Sequence, residues 1–238
     1  MKLRNIKLAF TLGEILVTLA IVGTISAMTM PSLIMSYQKT AYATQLRKIY
    51  VEIGQAIDLL MTDEGKSSLN STSLFRVQGG TIENSAGKFL KNYLKIAQDC
   101  GYQDGSTGAP CFASSYTTLK GEDARMYCPG YAVVTNAGYS ICLDAPFDNG
   151  QSSIIPARLL VDVNGPKGPN IAGRDFFGMW IYSDGSIDEI SPADKVNLTS
   201  AELTTKRTEA AASCANKSNY DASGCFTKLL NSNWKMDY

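Results

Sequence analysis

FTLGEILVTLAIVGTISAMTMPSLIMSYQ, residues 10–38, decides how the rest of the chain is read. After Glu14 it runs for 24 residues without a charge, Ile15 to Gln38, and its apolar part, Ile15 to Met35, is 21 residues. At ~1.5 Å rise per residue such a run crosses a hydrocarbon core of ~30 Å. One carboxylate, Glu14, stands at its head, where a membrane segment ordinarily carries no charge. Three cations, Lys2, Arg4 and Lys7, lie just upstream. Past Lys39 the apolar positions thin to one face: Tyr42, Leu46, Ile49, Ile53, Ala56 and Leu60. That spacing predicts a helix that continues as an amphipathic rod to Met61, roughly 70 Å from Glu14.

These residues resemble the N-terminus of type IV prepilins and of the pseudopilins of type II secretion. The basic leader Lys2 to Lys7, the small residue Ala9, then Phe10-Thr11-Leu12-Gly13-Glu14 and the apolar run carry the resemblance. It implies that a prepilin peptidase cuts between Ala9 and Phe10 and that the new Phe10 amine is methylated, giving N-methylphenylalanine. It also implies a helix bend at Pro31 and a role for Glu14 in assembly. Two residues depart from the family pattern. Ala9 replaces the usual glycine, and Gly13 stands where larger apolar residues are common, at a local cost of ~1 kcal/mol in helix propensity.

A lone carboxylate within lipid costs at least ~3 kcal/mol and so needs a partner. Cleavage would create one, because an α-amine is protonated below its reference pKa of ~8. In a bundle of identical helices Glu14 of one subunit would meet the Phe10 amine of the next. Such a pair acts as a register device rather than as net glue. Two plainer patterns share parts of this signal. A secretory signal peptide also has a basic start and apolar core, with Thr24-Ile25-Ser26-Ala27 as a cleavage site, but Glu14 interrupts that core. An ordinary single-span anchor accounts for the length and leaves Phe-Thr-Leu-x-Glu without a reason.

Composition bounds the rest. The chain has 238 residues, 45% of them hydrophobic, which suits one globular domain plus an anchor. It carries 22 basic and 22 acidic residues; loss of the leader leaves the mature chain three charges negative. No basic run follows Lys48, so no nucleic-acid partner is expected. With no histidine, His-based triads, His acid–base chemistry and His metal sites are excluded. There is no G-x-S-x-G and no P-loop, and S-x-x-K occurs at Ser36, Ser85 and Ser232 without companion motifs, so no enzyme and no cofactor is expected.

Six cysteines, Cys100, Cys111, Cys128, Cys142, Cys214 and Cys225, lie beyond the apolar run with no C-x-x-C among them. An even count in an exported domain reads as disulfides, with 15 possible connectivities for six cysteines. Sequence does not choose among them. The preferred set joins sequential neighbours, Cys100–Cys111, Cys128–Cys142 and Cys214–Cys225, each closing a short polar loop.

Downstream of Met61, Thr62 to Ser68 reads as a helix-ending loop, Ser73 to Val77 as a short strand, Asn84 to Ala97 as a second helix and Gly101 to Ala109 as a loop. Tyr131–Thr135 and Tyr139–Leu143 flank Asn136-Ala137-Gly138, a hairpin signal, and Arg158–Val163 reads as a strand. Phe176–Tyr182 and Ser186–Ile190 flank Ser183-Asp184-Gly185, a second hairpin. From Ser191 the composition predicts a loop-rich tail, with an aromatic of its last six residues docked on the domain. These readings alone permit several α+β folds; the resemblance implies the pilin-like one, with a leader 1–9, a long helix 10–61 with residues 10–35 in the membrane, and an exported α+β domain 62–238 whose antiparallel sheet packs on Leu46 to Leu60.

One loop, Val161 to Asp175, carries Asp162 and Asn164 ahead of Gly165, the opening of a calcium loop, with Asp175 as a returning ligand. It lacks the later acidic positions of an EF-hand. The same residues also suit a structural turn in which Asp162 and Asn164 bond backbone amides; Ca²⁺ is thus the one cofactor to test. The resemblance implies a structural subunit of a type II secretion pseudopilus or a type IV pilus, held in a bacterial inner membrane by a single pass with its C-terminal domain extracytoplasmic, then assembled into a cell-surface fibre. Its partners would be other pilin subunits, the prepilin peptidase and an inner-membrane assembly platform. The alternative is a membrane-anchored surface binding module that does not polymerise.

Overall fold

The computed structural model describes residues 11–76, 80–105, 110–124, 126–148, 154–195, 198–214 and 224–238. The leader and the Ala9–Phe10 junction lie outside them. Contacts divide the chain into two units, Met1–Ala41 and Tyr42–Tyr238.

Helix α1 spans Leu12–Asp63, with Pro31 inside it. It starts two residues later and ends two residues later than the periodicity predicts. In the first unit no described residue is buried. The C-terminal stop is Gly65, whose φ of 62° is open to glycine at little cost. The amide of Lys66 donates to the Met61 carbonyl at 2.8 Å and that of Gly65 to Thr62 at 3.1 Å, a Schellman closure.

In the second unit, Ala43, Leu46, Ile49, Ile53, Ala56, Ile57 and Leu60 of α1 are buried. They share one core with the sheet residues Val133, Ile141, Leu143, Leu159, Val161, Phe177, Met179 and Ile181. In chain order the strands are β1 (Ile96–Tyr102), β2 (Tyr116–Thr117), β3 (Asp123–Ala124), β4 (Tyr131–Thr135), β5 (Ser140–Asp144), β6 (Phe147–Asp148), β7 (Ile154–Ile155), β8 (Ala157–Asp162), β9 (Phe176–Ile181) and β10 (Ile187–Asp188). The main sheet is antiparallel throughout, in the order β1-β4-β5-β8-β9-β10. Strand side chains alternate between faces. Ala132, Cys142, Leu160 and Phe176 therefore point away from α1, into a second apolar cluster with Cys111, Phe112, Tyr116 and Cys128. The small β2–β3 hairpin belongs to this second layer, and β6 pairs with β7 in another.

The three disulfides are Cys100–Cys111, Cys128–Cys142 and Cys214–Cys225. The first two tie the second layer to β1 and β5. The edge strand β1 carries two register shifts against β4, between Ile96 and Gln98 and between Asp99 and Gly101.

Four sequence expectations need correction. Ser73, Leu74 and Phe75 form no strand: a 3-10 turn at Leu69–Ser71 precedes them, and Arg76 makes only an isolated bridge to Phe147, while Val77 lies outside the described residues. The helix expected over Asn84–Ala97 is a π-helical turn at Glu83–Gly87 followed by α2, Lys88–Tyr93; Leu94 turns extended and Ile96 and Ala97 enter β1. Gly101 and Tyr102, expected in a loop, end that strand. The tail is not loop-rich, because it holds α3 (Pro192–Lys195), α4 (Ser200–Ala212) and α5 (Cys225–Asn231). Its missed signal is Thr199-x-x-Glu202: the Glu202 amide donates to Thr199 Oγ1, and Glu202 Oε2 accepts from the Thr199 amide at 2.8 Å. Such a capping box satisfies two orphan donors at a helix start.

Two buried acids fasten this tail to the sheet edge. Asp188 Oδ2 accepts from Arg207 of α4, Nε at 2.8 Å and Nη2 at 2.7 Å. Glu189 accepts from the amides of Gly224 at 2.8 Å, Phe226 at 2.9 Å and Thr227 at 3.1 Å, the start of α5. The docking aromatic is Trp234, whose ring lies 5.3 Å from Tyr50 of α1 and 5.9 Å from Phe226.

Candidate functional site

The residues that carry chemistry in the N-terminal motif sit at the first turn of α1. The Thr11 amide donates to Glu14 Oε2 at 2.8 Å and the Thr11 hydroxyl to the same oxygen at 3.0 Å. The Glu14 amide donates back to Thr11 Oγ1 at 3.2 Å. Thr11-Leu12-Gly13-Glu14 is thus a capping box, and it gives the carboxylate a partner inside its own chain. Both contacts to the carboxylate use Oε2; among the described residues nothing bonds Oε1, and Glu14 is exposed.

Behind it the helix is apolar on every side, with Met28 81% and Leu33 71% exposed. It is the one helix among the described residues long and apolar enough to cross a membrane. Several of its hydroxyls bond the helix backbone locally. Thr18 donates to the Ile15 carbonyl at 2.9 Å, Thr24 to Ile21 at 2.9 Å, Thr29 to Ile25 at 3.0 Å, Ser32 to Thr29 at 2.9 Å and Thr40 to Ser36 at 3.1 Å. In lipid, where no water can take these protons, such back-bonding removes the cost of an unpaired hydroxyl in an apolar run. Pro31 lacks an amide proton, and the hydroxyls of Thr29 and Ser32 flank it.

The Asp162 loop is brought together by the end of β8 and the start of β9. Asp162 and Asp175 are fully buried. Tyr116 donates its hydroxyl to Asp162 Oδ2 at 2.6 Å, and the Asn164 amide donates to Oδ1 at 3.2 Å. Asp175 accepts from the amides of Asn170 at 2.8 Å and Ile171 at 2.6 Å, one on each oxygen. The Asn164 side chain donates to the carbonyls of Lys167 at 2.6 Å and Gly168 at 2.9 Å. All four carboxylate oxygens therefore accept bonds from the chain's own donors, the arrangement of a self-closed turn. Among the described residues no three acidic or cysteine side chains gather to hold a metal ion. Two side-chain oxygens of the same loop, Asn164 Oδ1 and Asn170 Oδ1, are buried without a hydrogen-bond partner, and no cation enters the reading below.

Burial pushes the Asp162 carboxyl up to about 8; the Tyr116 hydroxyl opposes this and the Asp175 charge adds to it. Burial likewise raises Asp175, and it pushes Asp144 up to about 6 against the nearby Arg76 and Arg158. A folded-state pKa above the ordinary carboxylate value favours the neutral acid in the fold. Its contribution to stability is full below ~4 and is lost as pH rises toward 8. The full chain in detergent should then show a lower urea midpoint at pH 8 than at pH 5. Asp162→Asn, which cannot ionise, should flatten that slope; an unchanged slope would show that Asp162 is ionised in the fold throughout.

Glu14 and Pro31 belong to the first unit and the Asp162 turn to the second. Sequence reasoning missed the acids that close the tail, Asp188 and Glu189, whose partners lie 19 to 38 residues away in the chain. No family model matches the chain, and no curated protein or solved structure does either.

Proposed function

We propose that this chain is a pilin-like structural subunit, cleaved between Ala9 and Phe10, methylated at Phe10 and assembled into a type II secretion pseudopilus or a type IV pilus. The observation that carries the reading is Glu14, an acid at the head of a helix with 24 uncharged residues behind it. The α+β second unit, with an antiparallel sheet packed on the amphipathic part of α1, supports it as a layout. Before assembly the apolar helix would hold the subunit in the inner membrane with its disulfide-bonded domain outside the cytoplasm, since disulfides persist in oxidising compartments. In the fibre, Glu14 Oε1 is the oxygen left to meet a neighbour's Phe10 amine while Oε2 keeps its cap.

The capping box also favours a second reading. A plain anchor that never polymerises has a use for Glu14, because the acid closes its own helix start. Processing separates the two. The intact mass of the mature chain should correspond to a start at methylated Phe10, and Ala9→Lys should leave the leader attached, because a long cation replaces a small residue at the cut. A chain that retains Met1, or an Ala9→Lys chain cut as the parent is, sinks the pilin-like reading and leaves the anchor.

A further inference from the structure

The second unit has a groove of about 740 Å³ between the exposed flank of α1 and the strand ends at Lys95 and Thr135–Ala137. Three of its lining cations, Arg47, Lys48 and Lys95, are exposed, and none of them makes an ion pair among the described residues. The other cations of this unit that sit on acids, Lys91, Lys206, Arg207 and Lys228, are paired within it. One carboxylate, Glu52, shares the groove and lies beside the Tyr139 hydroxyl. The excess charge is positive, and the site is built on a helix, which fixes where it points.

The same chain carries a surface of opposite charge. The β2–β3 turn ends in Lys120-Gly121-Glu122-Asp123, all four exposed. Its backbone is fixed from beneath: the buried Thr118 hydroxyl accepts from the Lys120 and Glu122 amides, each at 3.2 Å, and the Thr118 amide donates to the Glu122 carbonyl at 2.8 Å. Neither Glu122 nor Asp123 makes an ion pair among the described residues. A rigid, preformed tip loses little conformational freedom on docking. The tip carries two carboxylates and one cation, Lys120, and the groove three cations and one carboxylate, Glu52.

We infer that the Arg47–Lys48–Lys95 groove receives the Glu122–Asp123 tip of a second copy of this chain. The tip rises from the sheet face opposite α1, so one molecule cannot fill its own groove. Groove and tip are different patches, which makes the contact heterologous; such contacts propagate instead of closing into a two-fold dimer. The inference rests on the reading that copies of this chain meet in an assembly, and adds a second contact, outside the apolar helix.

The test is zero-length carbodiimide cross-linking of the full chain in its native membranes, which joins a lysine to a carboxylate only where the two touch. The expected product is a dimer whose mapped links join Lys48 or Lys95 to Glu122 or Asp123. Lys48→Glu with Lys95→Glu, and separately Glu122→Lys with Asp123→Lys, should each lower dimer yield by about ten-fold or more, since like charges now face each other. Co-expression of the two variants should restore it, because one variant's tip then suits the other's groove. Undiminished dimers in either variant, links from the tip to other lysines, or links from the groove to a different protein overturn the proposal. Leader processing, read by mass on the same samples, is scored apart: processed chains without this dimer remove only the groove contact, and this dimer on unprocessed chains removes only the pilin-like reading.

Discussion

Glu14→Gln chains are expected to insert, to lose their leader and to fail in assembly. Glutamine keeps the size of the residue and an oxygen for Thr11, so the reciprocal bonds at the start of α1 persist. Only the charge is lost, and its loss makes membrane insertion no harder. What suffers is the neighbour's Phe10 amine, which would enter the bundle without a counter-charge. An unpaired buried ion costs several kcal/mol, enough to shift subunit addition by a factor of hundreds or more. Thr11→Ala is the companion variant. It removes the cap at a cost of ~1 kcal/mol and keeps the charge, so fibres should still form. Fibre yield after shearing and sedimentation, divided by the level of mature chain, is the measurement. Normal yield from Glu14→Gln removes the amine–carboxylate pairing and leaves the cap as the acid's whole purpose.

The second large effect is expected from Glu189→Ala. Gly224, the residue before α5, has φ 78° and no side chain to cap the helix, and a Cβ there would meet the Ala210 carbonyl oxygen at 1.8 Å. Glu189 therefore does from the sheet what a cap residue does from within a helix, accepting three amide protons at a position 2% exposed. Truncation strands those donors in a space closed to water. The cost should be ~3–5 kcal/mol, the range for breaking a buried charged network. The loss should be read as a fall in denaturant midpoint, with early proteolytic release of the tail, since Phe226 and Trp234 anchor on Tyr50 through this helix. A variant within about 1 kcal/mol of the parent would mean that α5 is held by its apolar face alone.

The legible parts of the sequence were those whose signal is local and repeated. The α1 stripe from Leu46 to Leu60 and the turns at Asn136-Ala137-Gly138 and Ser183-Asp184-Gly185 lie where the residues place them. The strand β1 was not legible, because Gln98-Asp99-Cys100-Gly101 lies on an irregular edge and never alternates. Glu189 was not legible either: three amides 35 to 38 residues onward give no local pattern. The capping boxes were different. Thr11-x-x-Glu14 and Thr199-x-x-Glu202 are the same four-residue signal, masked at Glu14 by the uncharged run that follows it and at Glu202 by a run of polar residues over a helix of 13.

The two edges of the six-stranded sheet bear on how copies of this chain can avoid aggregating. An open edge offers a row of free amides and carbonyls on which another chain can add a strand, the first step toward amyloid. Here β1 is broken twice in register and kinked at Gly101, and Lys91 and Asp99 pair beside it at 2.9 Å. The opposite edge, β10, is two residues long and is followed at once by the acid that holds α5. Neither edge makes a good template. Copies of this chain brought close together would thereby be steered away from strand exchange, and any contacts between them left to helices and side chains, where geometry can be specific and reversible.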